Sequence, residues 1–326
     1  MNRALVRLLV DRDAELRRRG IAWRVTGIAS RRLGWIADAS GLDRNLLAAD
    51  PVGADFREFA HVDNVRDWLA AARADVLFEA TSLNVENGQP AVDHLRAALE
   101  HGAHAITANK GPIVHAHAEL QKLAKDRGKR LLFESTVLDG IPIFSLFQEN
   151  LPAIHLQGFR GILNSTTNVV LGGMEEGMSI EAALKRAQEM GVAETDARHD
   201  IEGWDAAVKV TALVVVLMGE RLRPADVQRE GIGSLTGKQV RAARAAGTPY
   251  KLVCSTRRTE NGVVARVAPE RVPLSDPLAW VAGTSSIVYF ETDIFPGLCI
   301  TEVNPGLYAT AYGLLTDFIR AAETRR

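Results

Sequence analysis

Between Gly191 and Lys209 the chain reads GVAETDARHDIEGWDAAVK, which packs Glu194, Asp196, Asp200, Glu202, Asp205 and Lys209 into one short stretch. Asp205 and Lys209 stand four apart, so a helix puts them on one face, a turn from each other. The run that follows, Val210 to Met218, is apolar almost all round, and such a helix is buried. Exposed Asp–Lys pairs are common, but a lysine at the mouth of a buried helix carries a desolvation cost that a surface pair does not. The pattern points to acid/base work in a cleft, with an amine trading a proton beside a carboxylate. Burial lowers the proton affinity of such an amine, and Asp205 raises it.

Other stretches could bind rather than react. ITANKGP (106–112) ends a strand with Asn109 and Lys110 and turns at Gly111-Pro112. Ligands of open α/β sheets gather at the carboxyl ends of strands, against which stands the plain reading of a solvated turn lysine. Thr81 and Ser82 end another strand in the same way, as ligand contacts or simple turn residues. GILNSTTN (161–168) suits either a helix cap or a polar lining, and ESTVLDGIP (134–142) either a bare turn or a site beside Glu134. The eight histidines show no metal-ligand spacing, and His115 and His117 are read as structural.

The elements that must position these residues follow from periodicity. One amphipathic helix is expected over 3–19, a strand over 23–30, and loop with short helix over 31–60. Apolar runs at 74–82, 103–112 and 130–136 alternate with helices at 91–102 and 115–128, the signature of a parallel α/β sheet. After Thr136 the rhythm changes to helices near 142–150, 166–176, 179–190, 203–218 and 236–245, mixed with alternating strands such as 263–269 and 286–293. These indicate an α+β layer with an antiparallel sheet, before a closing helix at 307–322.

Composition bounds the rest. The 326 residues carry 24 % charged side chains and a formal net charge of −1, so nothing marks a nucleic-acid or anionic-membrane partner. No run is long enough to span a bilayer, no signal peptide is visible, and Cys254 and Cys299 suggest no disulfide framework or zinc site. A reducing cytoplasm is the expected setting.

Taken together, these pieces resemble homoserine dehydrogenase. ITANKGP looks like that family's ANKGP turn, and GILNSTTNVVL is similar to its GILNGTTNYIL. EMGVAETDARHDIEGWDAAVK is similar to its G-x-x-E-x-D-P-x-x-D-x-x-G-x-D-x-x-x-K segment, with acids, glycine and lysine in register. PLAWVAGTSSIVYFETD and ATAYGLLTDFI look like its later strands and final helix. The resemblance implies a Rossmann-like parallel sheet lacking its first strand, over residues 1–135 and completed by 303–326. It further implies a substrate and dimerisation domain over 136–302.

The resemblance also implies roles, position by position. Lys209 would exchange a proton with the substrate oxygen, and Asp205 would bind substrate and orient that lysine. Glu194 and Asp200 would hold the substrate ammonium, with Thr166 as a further polar contact. Lys110 would lie between nicotinamide and substrate, and Thr81 and Gly306 would line the cofactor. A structural monovalent cation, sodium, would fall at Glu134, Val137, Asp139 and Ile141. The reaction implied is the reversible interconversion of L-homoserine and L-aspartate 4-semialdehyde, a step toward threonine and methionine, by a homodimer. Arginine at Arg31-Arg32, where NAD-specific sites carry an acid, favours NADP over NAD.

The departures from that family cluster around ligands. The sequence opens on a helix with no strand or Gly-rich turn before it, so a start upstream of Met1 is expected. Ser165, Val169, Ala197 and Ser286 stand where the family has Gly, Tyr, Pro and Asn, and Asn304-Pro305 replaces part of a late Gly-rich turn. Leu138-Asp139 replaces a small Gly-rich pair. The alternatives are a related oxidoreductase acting on another small hydroxy or amino acid, or a non-catalytic member lacking the phosphate-binding loop.

Overall fold

The computed structural model describes residues 1–49 and 60–323, and the chain divides into two compact units, 1–142 with 306–326 and 143–305. The expected helix over 3–19 is two, α1 (Asn2–Asp11) and α2 (Asp13–Arg18), broken at Arg12 with φ −101° and ψ 9°. Only Ala14 is apolar between Val10 and Leu16, so little holds the chain to the core through that turn. The strand expected over 23–30 is shorter, β1 (Gly27–Ser30), and 34–37 is not loop but its antiparallel partner β2 (Gly34–Ala37). The Ser30 hydroxyl accepts the Leu33 N–H at 3.1 Å and closes the hairpin, a side-chain turn that hydrophobic periodicity does not reveal. After α3 (Arg44–Ala49), β3 (Ala60–Val62) pairs with β2 and completes a three-stranded sheet.

Helix α4 (Val65–Ala72) starts where Asn64 caps the N–H groups of Arg66 and Asp67. There follow β4 (Val76–Glu79), α5 (Ala91–His101), β5 (His104–Thr107), α6 (Lys110–Asp126) and β6 (Leu131–Leu132). β4, β5 and β6 form a separate, wholly parallel sheet, with Val76 opposite His104 and Ala105 opposite Leu131. The strand expected to reach 136 stops at Leu132. Residues 134–136 instead make a tight 3₁₀ turn, because the Glu134 N–H turns aside to donate to the Asp317 carboxylate at 2.8 Å. Gly111 allows α6 to start there: a Cβ on it would lie 2.9 Å from the Gly88 Cα.

The second unit opens with α7 (Ile143–Ser145) and a π-helical turn, then β7 (Leu156–Ile162), α8 (Ser165–Glu175), α9 (Ile180–Glu189), α10 (Arg198–Ile201) and α11 (Trp204–Leu213). It continues through β8 (Gln228–Arg229), α12 (Gly237–Ala245), β9 (Tyr250–Thr259), β10 (Gly262–Arg271), β11 (Ser286–Thr292) and β12 (Leu298–Glu302). Its six strands run in the order β12-β11-β7-β9-β10-β8, antiparallel except for the β10–β8 pair. This is the α+β layer expected from the alternating runs. As its apolar circumference requires, α11 is buried at seven of its ten positions, and it runs on as a π turn that Gly219 ends.

The chain then returns to the first unit as α13 (Leu307–Ala322). Leu314, Leu315 and Phe318 of α13 join Leu5 and Leu9 of α1, Leu16, Ile106 and Leu132 in one buried cluster. At about 1.5–3 kcal/mol for each fully buried large side chain, this cluster is what ties α1 and α13 to the parallel sheet.

Candidate active site

The charged stretch read from the sequence folds into two short helices with a turn between them. Gly203 lies at that turn with φ 80°, a backbone state that a residue with a Cβ adopts only under strain, and α11 starts directly after it. Arg229 stacks its guanidinium 3.8 Å over the Trp204 ring, and it donates to the Glu202 carbonyl, which pins this start. Asp205 therefore sits in the first turn of α11, and Lys209 one turn later points the same way. The Lys209 Nζ lies 3.0 Å from Asp205 Oδ2 and donates to the Leu163 carbonyl at 2.6 Å. Both side chains are about 20 % exposed, 20 % for Lys209 and 19 % for Asp205, so the pair is screened from water but still reachable.

Asp200, on α10, faces the same place. The Asn164 Nδ2 donates to Asp200 Oδ1 at 2.7 Å and to Asp205 Oδ2 at 3.1 Å. Burial first, and the neighbouring Asp205 charge second, push the Asp200 carboxyl above its usual range, while the Asn164 hydrogen bond and the Lys209 charge pull it back. Thr166, buried in the first turn of α8, also donates to the Val192 carbonyl at 3.3 Å. The arrangement is an amine poised to trade a proton, beside two carboxylates suited to a cationic group.

Three acids of the stretch lie elsewhere, and Glu202 is exposed at the turn before α11. Glu194 is exposed on the loop after α9, where its carbonyl accepts from Gln188 at 3.2 Å, and its carboxylate makes no hydrogen bond to this cluster among the described residues. Asp196 is solvent-facing and paired with Arg198 at 2.6 Å, which holds its carboxyl down to about 2. Behind the cluster, the Cys254 thiol is buried and pushed up to about 12 by that burial, so it is no nucleophile.

In the first unit, Arg31, Thr81 and Lys110 each follow the carboxyl end of a strand. Hydrogen bonds tie these ends together. The Arg31 guanidinium donates to the Ser82 hydroxyl at 3.2 Å, and the Asn109 Nδ2 donates to the Thr81 carbonyl at 3.1 Å. Asn109 also caps α6 through its Oδ1, which accepts the Gly111 N–H at 2.9 Å. Underneath is a residue the sequence reading missed, Glu79, which is 3 % exposed. One of its oxygens accepts from the Thr81 N–H at 2.7 Å and the other from the Thr107 hydroxyl at 2.9 Å. A carboxylate at a strand end has no distinctive spacing, so only the fold reveals its role. Gly306, exposed, caps the start of α13, and no hydrogen bond ties it to these strand ends among the described residues.

The expected cation positions are also in the first unit. Glu134 is buried with its Oε2 3.6 Å from the Arg320 guanidinium, and Asp139 accepts from the Thr310 hydroxyl at 2.5 Å. Leu138 and Asp139 both adopt left-handed backbone, φ 52° and 50°, which is why a glycine pair suits these places. Among the described residues no three His, Cys, Asp or Glu side chains are arranged as a metal site. A cation here would rest on carbonyl oxygens with Glu134, an all-oxygen set that suits a hard ion.

Comparison with known proteins places the chain in a family. Residues 142–319 match the family model for homoserine dehydrogenase, and residues 4–134 match the model for the homoserine dehydrogenase NAD-binding domain. The NAD(+)-dependent homoserine dehydrogenase of Pseudomonas canavaninivorans is 32 % identical over 330 residues, covering 99 % of this chain and 94 % of the relative. A homoserine dehydrogenase structure from Thiobacillus denitrificans superposes with a TM-score of 0.81 and 29 % identity, over 98 % of this chain and 70 % of that one. A hyperthermophilic archaeal homoserine dehydrogenase mutant in complex with NADPH gives a TM-score of 0.81 and 25 % identity, over 98 % and 93 % of the two chains. The protein belongs to the homoserine dehydrogenase family.

Proposed function

We infer that the protein is an oxidoreductase that interconverts L-homoserine and L-aspartate 4-semialdehyde with a nicotinamide cofactor. The observation that carries this is the Lys209–Asp205 pair at 3.0 Å, with Asp200 alongside, on the segment that resembles the family's G-x-D-x-x-x-K motif. A nicotinamide held by the first unit would supply or accept the hydride at the substrate carbon. Lys209 donates a proton to the carbonyl oxygen of the semialdehyde as it is reduced, and takes one from the hydroxyl of homoserine in the reverse direction. Asp205 orients the amine. Asp200 holds the ammonium group, with Glu194 as a further acid of the same stretch, and Thr166 adds a polar contact. Steady-state rates with each substrate and both nicotinamides test the reading. Turnover of another hydroxy acid, with none of homoserine, would displace it.

Within the first unit, Thr81, Lys110, Arg31 and Gly306 are the cofactor contacts. Thr81 and Lys110 follow strand ends of the parallel sheet, where dinucleotides bind in open α/β folds, and Arg31 reaches them through Ser82. Arg31 suits a 2′-phosphate, so NADP is the preferred form. A sodium ion at Glu134, Val137, Asp139 and Ile141 is part of the same proposal and takes no part in the proton or hydride steps. The enzyme works as a homodimer in the cytoplasm. An open cavity of about 520 Å³ beside edge strand β12, with exposed Trp280 and Val303 at its wall, supports a covered apolar face in the second unit. No helix among the described residues is long and apolar enough to cross a membrane.

A further inference from the structure

Within the site just described, and resting on that reading of it, one buried side chain touches both carboxylates. Asn164 is 5 % exposed, and its amide nitrogen carries two hydrogens, one for Asp200 at 2.7 Å and one for Asp205 at 3.1 Å. The amide cannot turn over. Its Oδ1 accepts the Thr167 N–H at 2.8 Å as the cap of α8, and the Thr167 hydroxyl at 2.9 Å. A flipped amide would set an oxygen against two carboxylates and a nitrogen against a backbone N–H. The preceding residue completes the fixture, since the Leu163 carbonyl accepts from Lys209 at 2.6 Å. The end of β7 and the cap of α8 thus hold the amine and both acids from one dipeptide.

This turn of α8 is itself anchored. The Ser165 hydroxyl donates to the Thr284 carbonyl at 2.9 Å, and the Asn168 amide to the Gly283 carbonyl at 2.9 Å. Buried Lys251 donates to Asn168 Oδ1 at 3.0 Å from behind.

We propose that Asn164 is a positioning residue that bridges Asp200 and Asp205 into one preorganised dicarboxylate receptor for the substrate ammonium and sets the pH at which that receptor becomes charged. Two carboxylates this close repel, and a shared donor favours the state in which both are ionised. The groups facing Asp200 are Asp205 and Lys209 of α11, with the hydroxyl of Thr166 and the amide of Asn164 on the α8 side.

Two substitutions keep the cap and remove the bridge. Asn164→Ser still caps α8 but does not reach the acids, and Asn164→Asp keeps the shape while replacing two donors with a third acid. The expected result is a homoserine KM raised about tenfold to a hundredfold, the loss of one or two charge-assisted hydrogen bonds. The nicotinamide KM stays within twofold. The acid limb of kcat/KM moves to higher pH, further for Asn164→Asp than for Asn164→Ser. Ser165→Ala, which loosens the same turn without touching either acid, leaves that limb in place. Carboxyl carbon NMR of Asp200 through a pH titration gives a readout that does not depend on turnover, and its midpoint rises in both Asn164 variants.

An Asp200 midpoint and acid limb unchanged in folded Asn164→Ser, or a shift of equal size in Ser165→Ala, would overturn the proposal. A wild-type protein inactive on homoserine would remove the functional reading instead, while the NMR midpoints would still decide whether Asn164 tunes the pair.

Discussion

Replacing Lys209 by arginine separates two jobs that a lysine beside an acid could do. If its charge alone matters, by neutralising Asp205 or attracting substrate, arginine serves, since a guanidinium pairs well with a carboxylate. If it must move a proton, arginine fails, because it stays protonated at any working pH. The geometry scales both effects. A 3.0 Å ion pair at an effective dielectric of about 20 has a Coulomb energy near 5 kcal/mol, which residual solvent at two side chains 20 % and 19 % exposed reduces. Losing a positioned general acid typically costs about 10²–10⁴ in rate, or roughly 3–5 kcal/mol of barrier. The two magnitudes overlap, so a single neutral variant cannot tell them apart. The comparison of Lys209→Arg with Lys209→Met can. We expect both to fall at least about 100-fold in kcat, in both directions, and to lie within about tenfold of each other. The assay follows nicotinamide absorbance with saturating homoserine or semialdehyde, alongside a thermal melt to show that each variant is folded. Lys209→Arg retaining a third or more of wild-type kcat would refute proton transfer by this residue.

Three further outcomes follow from the first unit. Arg31→Ala should raise the KM for NADPH about tenfold, the loss of one charge-assisted contact, and change that for NADH little; equal effects on both would remove the 2′-phosphate assignment. Glu79→Ala strips the acceptor from Thr81 and Thr107, so it should weaken cofactor binding measured by calorimetry and lower the melting temperature, with about 1–3 kcal/mol for each donor left unpaired. Leu138→Gly sets two effects against each other. It relieves a left-handed leucine, worth roughly 1–2 kcal/mol, but empties a buried site at 5 % exposure, which costs about 2–5 kcal/mol. Burial should win, and a denaturant melt showing a more stable variant would contradict that.

Much of this protein was legible in its sequence because the signals were local. An apolar circumference made α11 buried, and a spacing of four put Asp205 and Lys209 on one face of it. Alternation after Thr136 marked the second sheet, and α6 was expected, although it starts at Lys110 and not at 115, because Asn109 caps the turn read there. In each case the deciding interaction lies within one turn or one strand, and that is what periodicity measures.

What escaped the sequence depended on partners far along the chain. The 3₁₀ turn at Glu134 exists because Asp317, 183 residues away, takes its N–H. The hairpin of β1 and β2 depends on a hydroxyl–backbone bond, not on hydrophobic pattern. Asp196 and Asp200 look alike in sequence, four residues apart, yet one is paired with Arg198 in water and the other is half-buried against Asp205. Asn164 lies in GILNSTTN, a stretch that suited either a helix cap or a polar lining, and it caps α8. Only the tertiary structure shows that α10 and α11 bring two carboxylates to its other side, because an amide has donors and an acceptor on opposite faces and the chain can use both at once.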